Sequence, residues 1–394
     1  SGLDLIGELS MKFRTKAIHL TPPGRSTGAL VPAIYLSTTF AQPAPGQWGE
    51  FDYSRSGNPT RKCFEDAIAE LESGVGGLAF SSGMAAIHCV TMLLECGDHI
   101  VTGYDVYGGT YRLLHKIINR SGITVTMVPT NDLDAVEAAF TPRTRLLWIE
   151  TPGNPLLSIT DIAACAEIAH RHNAILGVDN TFATPVLTRP LELGADIVMH
   201  SATKYIGGHT DVLGGVLVVR DSELFKRLYF IQNATGAVMA PLEAYLCHRG
   251  LKTLDLRVRE QSRTAHQIAD FFHNHPRIRK VYYPGLADHP GHEIAARQMS
   301  GGFGAIVSLE LDGDAGLVQR FAKSTQIFQL AVSLGAVESL IEQPATMSHA
   351  SYDAAFRAKH GIRDELIRLS IGLEDPEDLI ADLEQALDRA TKGG

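Results

Sequence analysis

The 394-residue chain reads as an α/β protein, with a large domain on a mainly parallel sheet and a smaller C-terminal α+β domain. Three observations lead there. A chain of this length exceeds what one hydrophobic core usually fills, so a large and a smaller domain are expected. From about residue 61 to 220, short β-branched runs alternate with helical patterns, the signature of parallel strands covered by helices on both faces. Hydrophobic residues make up 45% and charged residues 20%, with 37 Gly and 18 Pro between apolar segments, as in a folded globular chain.

The elements follow in order. Residues 1–10 precede Met11 and are expected to be a remnant ahead of the native start. Residues 11–60 carry few periodic signals and read as an extended arm. The large domain is expected over 61–245, with strands at 78–80, 99–102, 124–128, 145–149, 175–179, 197–200 and 216–219. Several of these strands end in polar residues, and in open parallel sheets ligands collect beyond the carboxyl ends of the strands. A charged helical stretch over about 241–273 leads into the C-terminal domain, expected at 246–394, where strands are fewer and Gly and Pro interrupt more often. Near the end, Leu379, Ile380, Leu383 and Leu387 recur at helical spacing, a face that packs on the core.

Composition narrows the function. The net charge of −9 is mild for this length, and no basic run is long enough to track a phosphate backbone, so nucleic acid is not an expected partner. No apolar stretch approaches the roughly 18 residues that span a bilayer, and no basic region followed by an apolar block opens the chain, so neither a membrane nor export is expected. Cys63, Cys89, Cys96, Cys165 and Cys247 form an odd, widely spaced set without a C-x-x-C pair. They suggest no disulfide framework and fit a cytoplasmic protein. Two histidine pairs, His170 with His172 and His289 with His292, are closely spaced. The first pair faces different sides of a helix and the second brackets a Pro290-Gly291 turn, so solvated histidines rather than a metal site are expected.

The chemistry gathers at strand ends. Ser201-Ala202-Thr203-Lys204 follows the apolar run 197–200 and precedes Gly207, Gly208, Gly214 and Gly215. An amine used for imine exchange must be reachable yet partly desolvated so that its neutral form is available, and a strand-end loop in a cleft provides both. Most lysines are surface charges, so the assignment leans on the surroundings. Asp179 ends the run 175–179, where an acidic group can pair with a protonated pyridine nitrogen and keep a cofactor ring electron-poor. A helix cap or turn aspartate is the plain alternative. Ser81-Ser82-Gly83-Met84 opens a helical run whose first amides can bind a phosphate, although such junctions are frequent in α/β proteins. Tyr107, ahead of Gly108 and Gly109, suits either a ring laid on a cofactor plane or a turn anchor.

Longer strings are more specific: Tyr53-Ser54-Arg55-Ser56-Gly57-Asn58-Pro59-Thr60-Arg61, Tyr107-Gly108-Gly109-Thr110, Glu150-Thr151-Pro152-Gly153-Asn154-Pro155, Val178-Asp179-Asn180-Thr181-Phe182, Ser201-Ala202-Thr203-Lys204-Tyr205 and Arg368-Leu369-Ser370-Ile371-Gly372-Leu373-Glu374-Asp375. Together they resemble the Cys/Met-metabolism family of pyridoxal-phosphate enzymes, which includes cystathionine γ-lyase, cystathionine β-lyase, cystathionine γ-synthase and methionine γ-lyase. The resemblance runs from about residue 16 to 387. It implies the aspartate-aminotransferase-like fold (fold type I), pyridoxal 5′-phosphate as cofactor, an amino-acid substrate, and a homotetramer built as a dimer of dimers. It further implies that Tyr53 and Arg55 reach the cofactor phosphate of the neighbouring subunit. The residues matching Gly83, Met84, Ser201 and Thr203 complete the phosphate cradle, Asp179 holds the pyridine nitrogen, and Tyr107 stacks on the ring and assists the leaving group. Lys204 holds the cofactor and removes the substrate α-proton. Arg368, with Asn154 and Ser333, matches the substrate-carboxylate site; read by itself, Arg368 also fits an ordinary half-buried ion pair.

For the reaction, the resemblance points two ways. Asp52, Arg112 and Gly109 resemble the members that handle cystathionine, where acidic and basic groups meet the far end of a long substrate. Val332 stands where cystathionine γ-lyases and γ-synthases commonly carry glutamate, and a valine cannot bind a distal ammonium. The expectation is a broad carbon–sulfur lyase acting on cystathionine and also on methionine, cysteine or homocysteine. The alternative is γ-replacement, in which cysteine attacks an intermediate from an O-acylhomoserine. A non-catalytic pyridoxal-phosphate-binding regulator is the reading from another class, against which the intact Lys204, Asp179 and Arg368 argue.

Overall fold

The computed structural model describes residues 11–21, 28–350 and 352–392; the expectation for residues 1–10 lies outside them. Seven strands build the first sheet: β1 (Gly76–Phe80), β2 (His99–Gly103), β3 (Thr124–Val128), β4 (Thr144–Glu150), β5 (Ile175–Asp179), β6 (Ile197–Ser201) and β7 (Gly215–Val219). Each expected strand is present. Their order across the sheet is β1-β7-β6-β5-β4-β2-β3. The neighbours β3, β2, β4, β5 and β6 run parallel, and β7 alone is antiparallel to both of its neighbours, β1 and β6. Burial explains the sequence pattern. The β2 and β7 residues are buried throughout, so helices cover both faces and no polar face is needed, whereas the edge strand β3 alternates exposed and half-buried positions.

The C-terminal sheet is mixed. Its strands are β8 (Ile278–Tyr282), β9 (Ile306–Leu311), β10 (Gln329–Leu330), β11 (Leu340–Glu342) and β12 (Leu366–Ser370), in the order β10-β11-β12-β9-β8. Only β10 and β11 pair in parallel; the other pairs are antiparallel.

Helices connect the two sheets. Pro59–Leu71 begins with proline at its first position, and the Asn58 side chain accepts from the Thr60 and Arg61 amides, which satisfies donors that the helix itself leaves open. The helix Pro241–His273 runs unbroken through residues 245 and 246 and packs on Pro59–Leu71 as well as on β8 and β9. At Gly250 its backbone presses on the loop after Lys204: an added Cβ would lie 2.1 Å from the Ile206 carbonyl oxygen. The last helix, Pro376–Lys392, buries Leu379, Leu383 and Leu387 against the core and the helix Ala315–Ser324. Each such side chain contributes about 2 kcal/mol by leaving water. In the arm, Phe13–Ile18 forms a short helix, with Phe13 packed on the core and Ala17 buried in it.

This architecture decides where chemistry can occur. The carboxyl ends of β4, β5 and β6 lie side by side, with Glu150 in register with Asp179. Strands β11 and β12 bring Glu342 and Arg368 up as directly paired residues on the second sheet.

Candidate active site

A cavity of about 390 Å³ opens at these strand ends, between the two sheets. Gly83, Met84, Tyr107, Arg112, Asn154, Asp179, Ser201, Thr203, Lys204, Val332, Ser333 and Arg368 all line it. These twelve residues singled out in the sequence therefore converge. Asp52, Tyr53 and Arg55 do not. Arg55 donates to the Asn233 carbonyl at 2.5 Å, its guanidinium carbon lies 5.6 Å from the Tyr53 ring centre, and Asp52 accepts from the Tyr53 amide at 2.6 Å.

Lys204 lies three residues beyond the end of β6, in a turn held by the Lys204 amide on the Ser201 carbonyl (3.1 Å) and the Gly208 amide on the Lys204 carbonyl (2.7 Å). Its Nζ donates to Ser333 Oγ at 2.7 Å. Burial, and then the nearby Arg368, push the amine down from its ordinary value to about 8, with Glu342 pulling the other way. A minor share of the amine is thus neutral near physiological pH, far more than for an ordinary lysine, as a nucleophile or base requires.

On the adjacent strand, Asp179 is buried and accepts from the Thr181 amide (3.0 Å) and hydroxyl (2.5 Å), both through Oδ1. Burial raises its carboxyl above the usual range and the Thr181 hydrogen bonds pull it back. Next to it, Glu150 is raised well above the usual range, first by burial and then by Asp179; its Oε2 accepts from the Tyr107 amide at 2.7 Å. Two buried carboxylates at neighbouring strand tips are costly unless a positive charge or a proton joins them. Among the described residues Asp179 has no ion-pair partner.

The helix Gly83–Thr91 starts at the cavity wall. Ser82 caps it by accepting from the Ala85 amide at 3.1 Å, so the first two amides, on Gly83 and Met84, remain for a ligand. A Cβ on Gly83 would lie 2.8 Å from Met199 Cε and 3.2 Å from Ser201 Cβ, so only glycine leaves this cradle open. Thr203 is fixed beside it by exchanging hydrogen bonds with the Gly214 amide and carbonyl.

These features fit pyridoxal phosphate. A partly neutral amine suits its aldehyde, a buried acid without a cation suits its pyridine nitrogen, and a glycine-opened helix start suits its phosphate.

Across the cavity, Arg368 is buried. Its Nη1 donates to Asn154 Oδ1 at 3.0 Å and lies 2.9 Å from Glu342 Oε1, and its Nη2 donates to the Ser333 carbonyl at 2.8 Å. This arginine forms the ion pair that its sequence context allowed and also lines the cavity. Val332 is 59% exposed in the cavity, beside the similarly exposed Leu213.

Sequence reasoning gave no role to Glu150 and Thr181, though both stand in the motif strings, and overlooked Glu342. Glu150 ends an apolar run at a strand tip, the same signal that marked Asp179. Glu342 is a lone acid closing the apolar pair Leu340-Ile341. Met347 and Ser348, which also line the cavity, carry no local signal. The histidine pairs lie elsewhere: His170 meets Asp196 and His172 meets Glu137, while His289 and His292 bond to the Gly291 amide and the Pro284 carbonyl.

Comparison with known proteins agrees with this geometry. The chain is similar to cystathionine γ-synthase of Mycobacterium leprae, 51% identical over 376 residues that cover 95% of this chain and 96% of that protein. It is also similar to cystathionine β-lyase of Lactococcus lactis subsp. cremoris, 49% identical over 378 residues, 96% of this chain and 99% of that protein. Among solved structures, cystathionine γ-lyase from Lactobacillus plantarum complexed with L-serine superposes with a TM-score of 0.94 at 48% identity, covering 97% of this chain and 100% of that one. The model of the family described as Cys/Met metabolism PLP-dependent enzyme matches residues 14–388, and the chain belongs to that family.

Proposed function

We propose that the protein is a carbon–sulfur lyase acting on sulfur-containing amino acids. The observation that carries this reading is the placement of Asp179 at the end of β5 and of Lys204 just beyond the end of the adjacent β6, lining one cavity together with Arg368. When bound, pyridoxal phosphate supplies an aldehyde that links to an amine and an electron-withdrawing ring that makes a substrate Cα–H acidic.

The chain's own residues do the rest. Lys204 would hold the cofactor through its aldehyde and, when its amine is free, would take the substrate α-proton. Asp179 keeps a positive charge on the ring nitrogen. The Gly83 and Met84 amides, Ser201 and Thr203 would hold the phosphate, and Tyr107 would lie against the ring and protonate the departing sulfur. Arg368, Asn154 and Ser333 receive the substrate carboxylate. Val332 and Arg112 face its far end, where an exposed valine favours apolar thioethers beside cystathionine.

Tyr53, Arg55 and Asp52 act in the cavity of a neighbouring subunit within a homotetramer. Their position outside their own chain's cavity supports this, as does the exposure of Leu30, Leu36 and Trp48 along the same arm. Five free cysteines fit a reducing cytoplasm. No helix among the described residues is long and apolar enough to cross a membrane.

A second reading is γ-replacement on an O-acylhomoserine with cysteine. Its support is that the similarity to a synthase and to lyases is nearly equal, at 51%, 49% and 48%. The test is to incubate the purified protein with cystathionine, methionine, cysteine, or O-succinylhomoserine plus cysteine, and to measure thiol, keto acid and cystathionine. Thiol and keto acid from the single substrates support the lyase. Cystathionine formed only from the last mixture transfers the assignment to the synthase.

A further inference from the structure

Arg368 has more acceptors around it than a free carboxylate-binding arginine needs. A guanidinium carries five N–H groups. Here Nη1 meets two acceptors, Asn154 Oδ1 and Glu342 Oε1, Nη2 meets the Ser333 carbonyl, and Nε is buried without a partner. Glu342 is as deeply buried as Arg368 and sits directly opposite it in the β11/β12 register. Its Oε1 also accepts from Ser348 Oγ at 2.6 Å, and its Oε2 is buried and unpartnered. The acid is therefore aimed at the arginine by the sheet and steadied by a residue of the cavity wall.

A pair of this kind is not needed for stability, because hydrophobic side chains of similar volume serve as well or better in a core. It does change what the arginine can do. Substrate and keto-acid product both carry the carboxylate, so an arginine with its full charge would hold both equally tightly. Binding that is equal in substrate and transition state adds nothing to turnover, and it slows product release.

Building on the proposed carboxylate role of Arg368, we propose that Glu342 is a positioning residue that aligns Arg368 and offsets part of its charge, so that substrate and product carboxylates bind with moderate affinity and leave. Ser348 shares the same Glu342 oxygen and thereby limits how strongly the acid competes.

The experiment uses the cofactor-loaded enzyme with glycine as the probe, read by the change in visible absorbance as glycine binds. Glu342→Gln keeps shape and acceptor but removes the charge. It is expected to bind glycine about tenfold more tightly, and to lower KM for the amino-acid substrate more than kcat. Ser348→Ala leaves Oε1 to Arg368 alone and is expected to weaken glycine binding by roughly twofold to threefold. Unchanged or weaker glycine binding in Glu342→Gln, at an unchanged melting temperature, overturns the proposal. If that variant does not fold, Ser348→Ala decides, and unaltered or tighter binding there overturns it. Arg368→Leu separates the two readings. If Arg368→Leu still binds glycine normally, the carboxylate role of Arg368 is wrong; if it loses binding while Glu342→Gln is unaltered, only the role of Glu342 is.

Discussion

Lys204 Nζ donates to Ser333 Oγ across 2.7 Å, and Ser333 holds this position with a backbone φ of 103°. Few residues other than glycine adopt such a value, and it costs on the order of 1–3 kcal/mol. The same residue gives its carbonyl to Arg368. One strained residue therefore spaces the Lys204 amine from the Arg368 guanidinium.

Replacing Lys204 with alanine removes the amine proposed to link to the cofactor. The visible absorbance of the purified enzyme should disappear, and kcat should fall by about a thousandfold or more. An unchanged spectrum would count against Lys204 as the attachment point.

The amine of Lys204 titrates near 8, and only its neutral form attacks an aldehyde. The rate at which cofactor-free enzyme takes up pyridoxal phosphate should therefore rise with pH through about 8 and level off above it, a window set by burial and Arg368. Stopped-flow absorbance between pH 6 and 10 measures this. A rise centred near 10, the ordinary lysine range, would show that the amine is not shielded.

Asp179→Asn preserves an oxygen for the two Thr181 hydrogen bonds and removes the negative charge. The protein should fold and retain cofactor, yet kcat should fall roughly a hundredfold, because a neutral amide cannot hold the positive ring nitrogen. Retained turnover would assign Asp179 to the turn at the end of β5 instead.

Val332→Glu places a carboxylate on a side chain that is 59% exposed in the cavity. The ratio of kcat/KM for cystathionine over methionine should increase by about tenfold, since the added acid can pair with the distal ammonium that methionine lacks. Steady-state kinetics on both substrates provide the ratio, and no change would remove position 332 from specificity.

Arg55→Ala and Lys204→Ala should each be inactive alone. Coexpressed, they should recover about a quarter of wild-type activity, because half of the random dimers are mixed and each mixed dimer has one site with both residues intact. No recovery would mean that Arg55 serves its own chain.

Much of this was legible in the amino-acid order because local physics sets it. The inner strands of the large sheet read mostly as short apolar runs, since helices on both faces leave no polar side to interrupt them. Lys204, Asp179 and Gly83 could be picked out because each follows such a run, at the strand ends where parallel sheets bind ligands. The helix Pro376–Lys392 announces itself by its leucine spacing. Only the tertiary structure decided what meets what. The reversed direction of β7, the pairing of Glu342 with Arg368, the Ser333 contact with Lys204 and the placement of Arg55 outside its own cavity all join residues far apart in the chain. Periodicity reports which face of an element is buried, whereas register between strands and the packing of one sheet on another depend on contacts that no local pattern encodes.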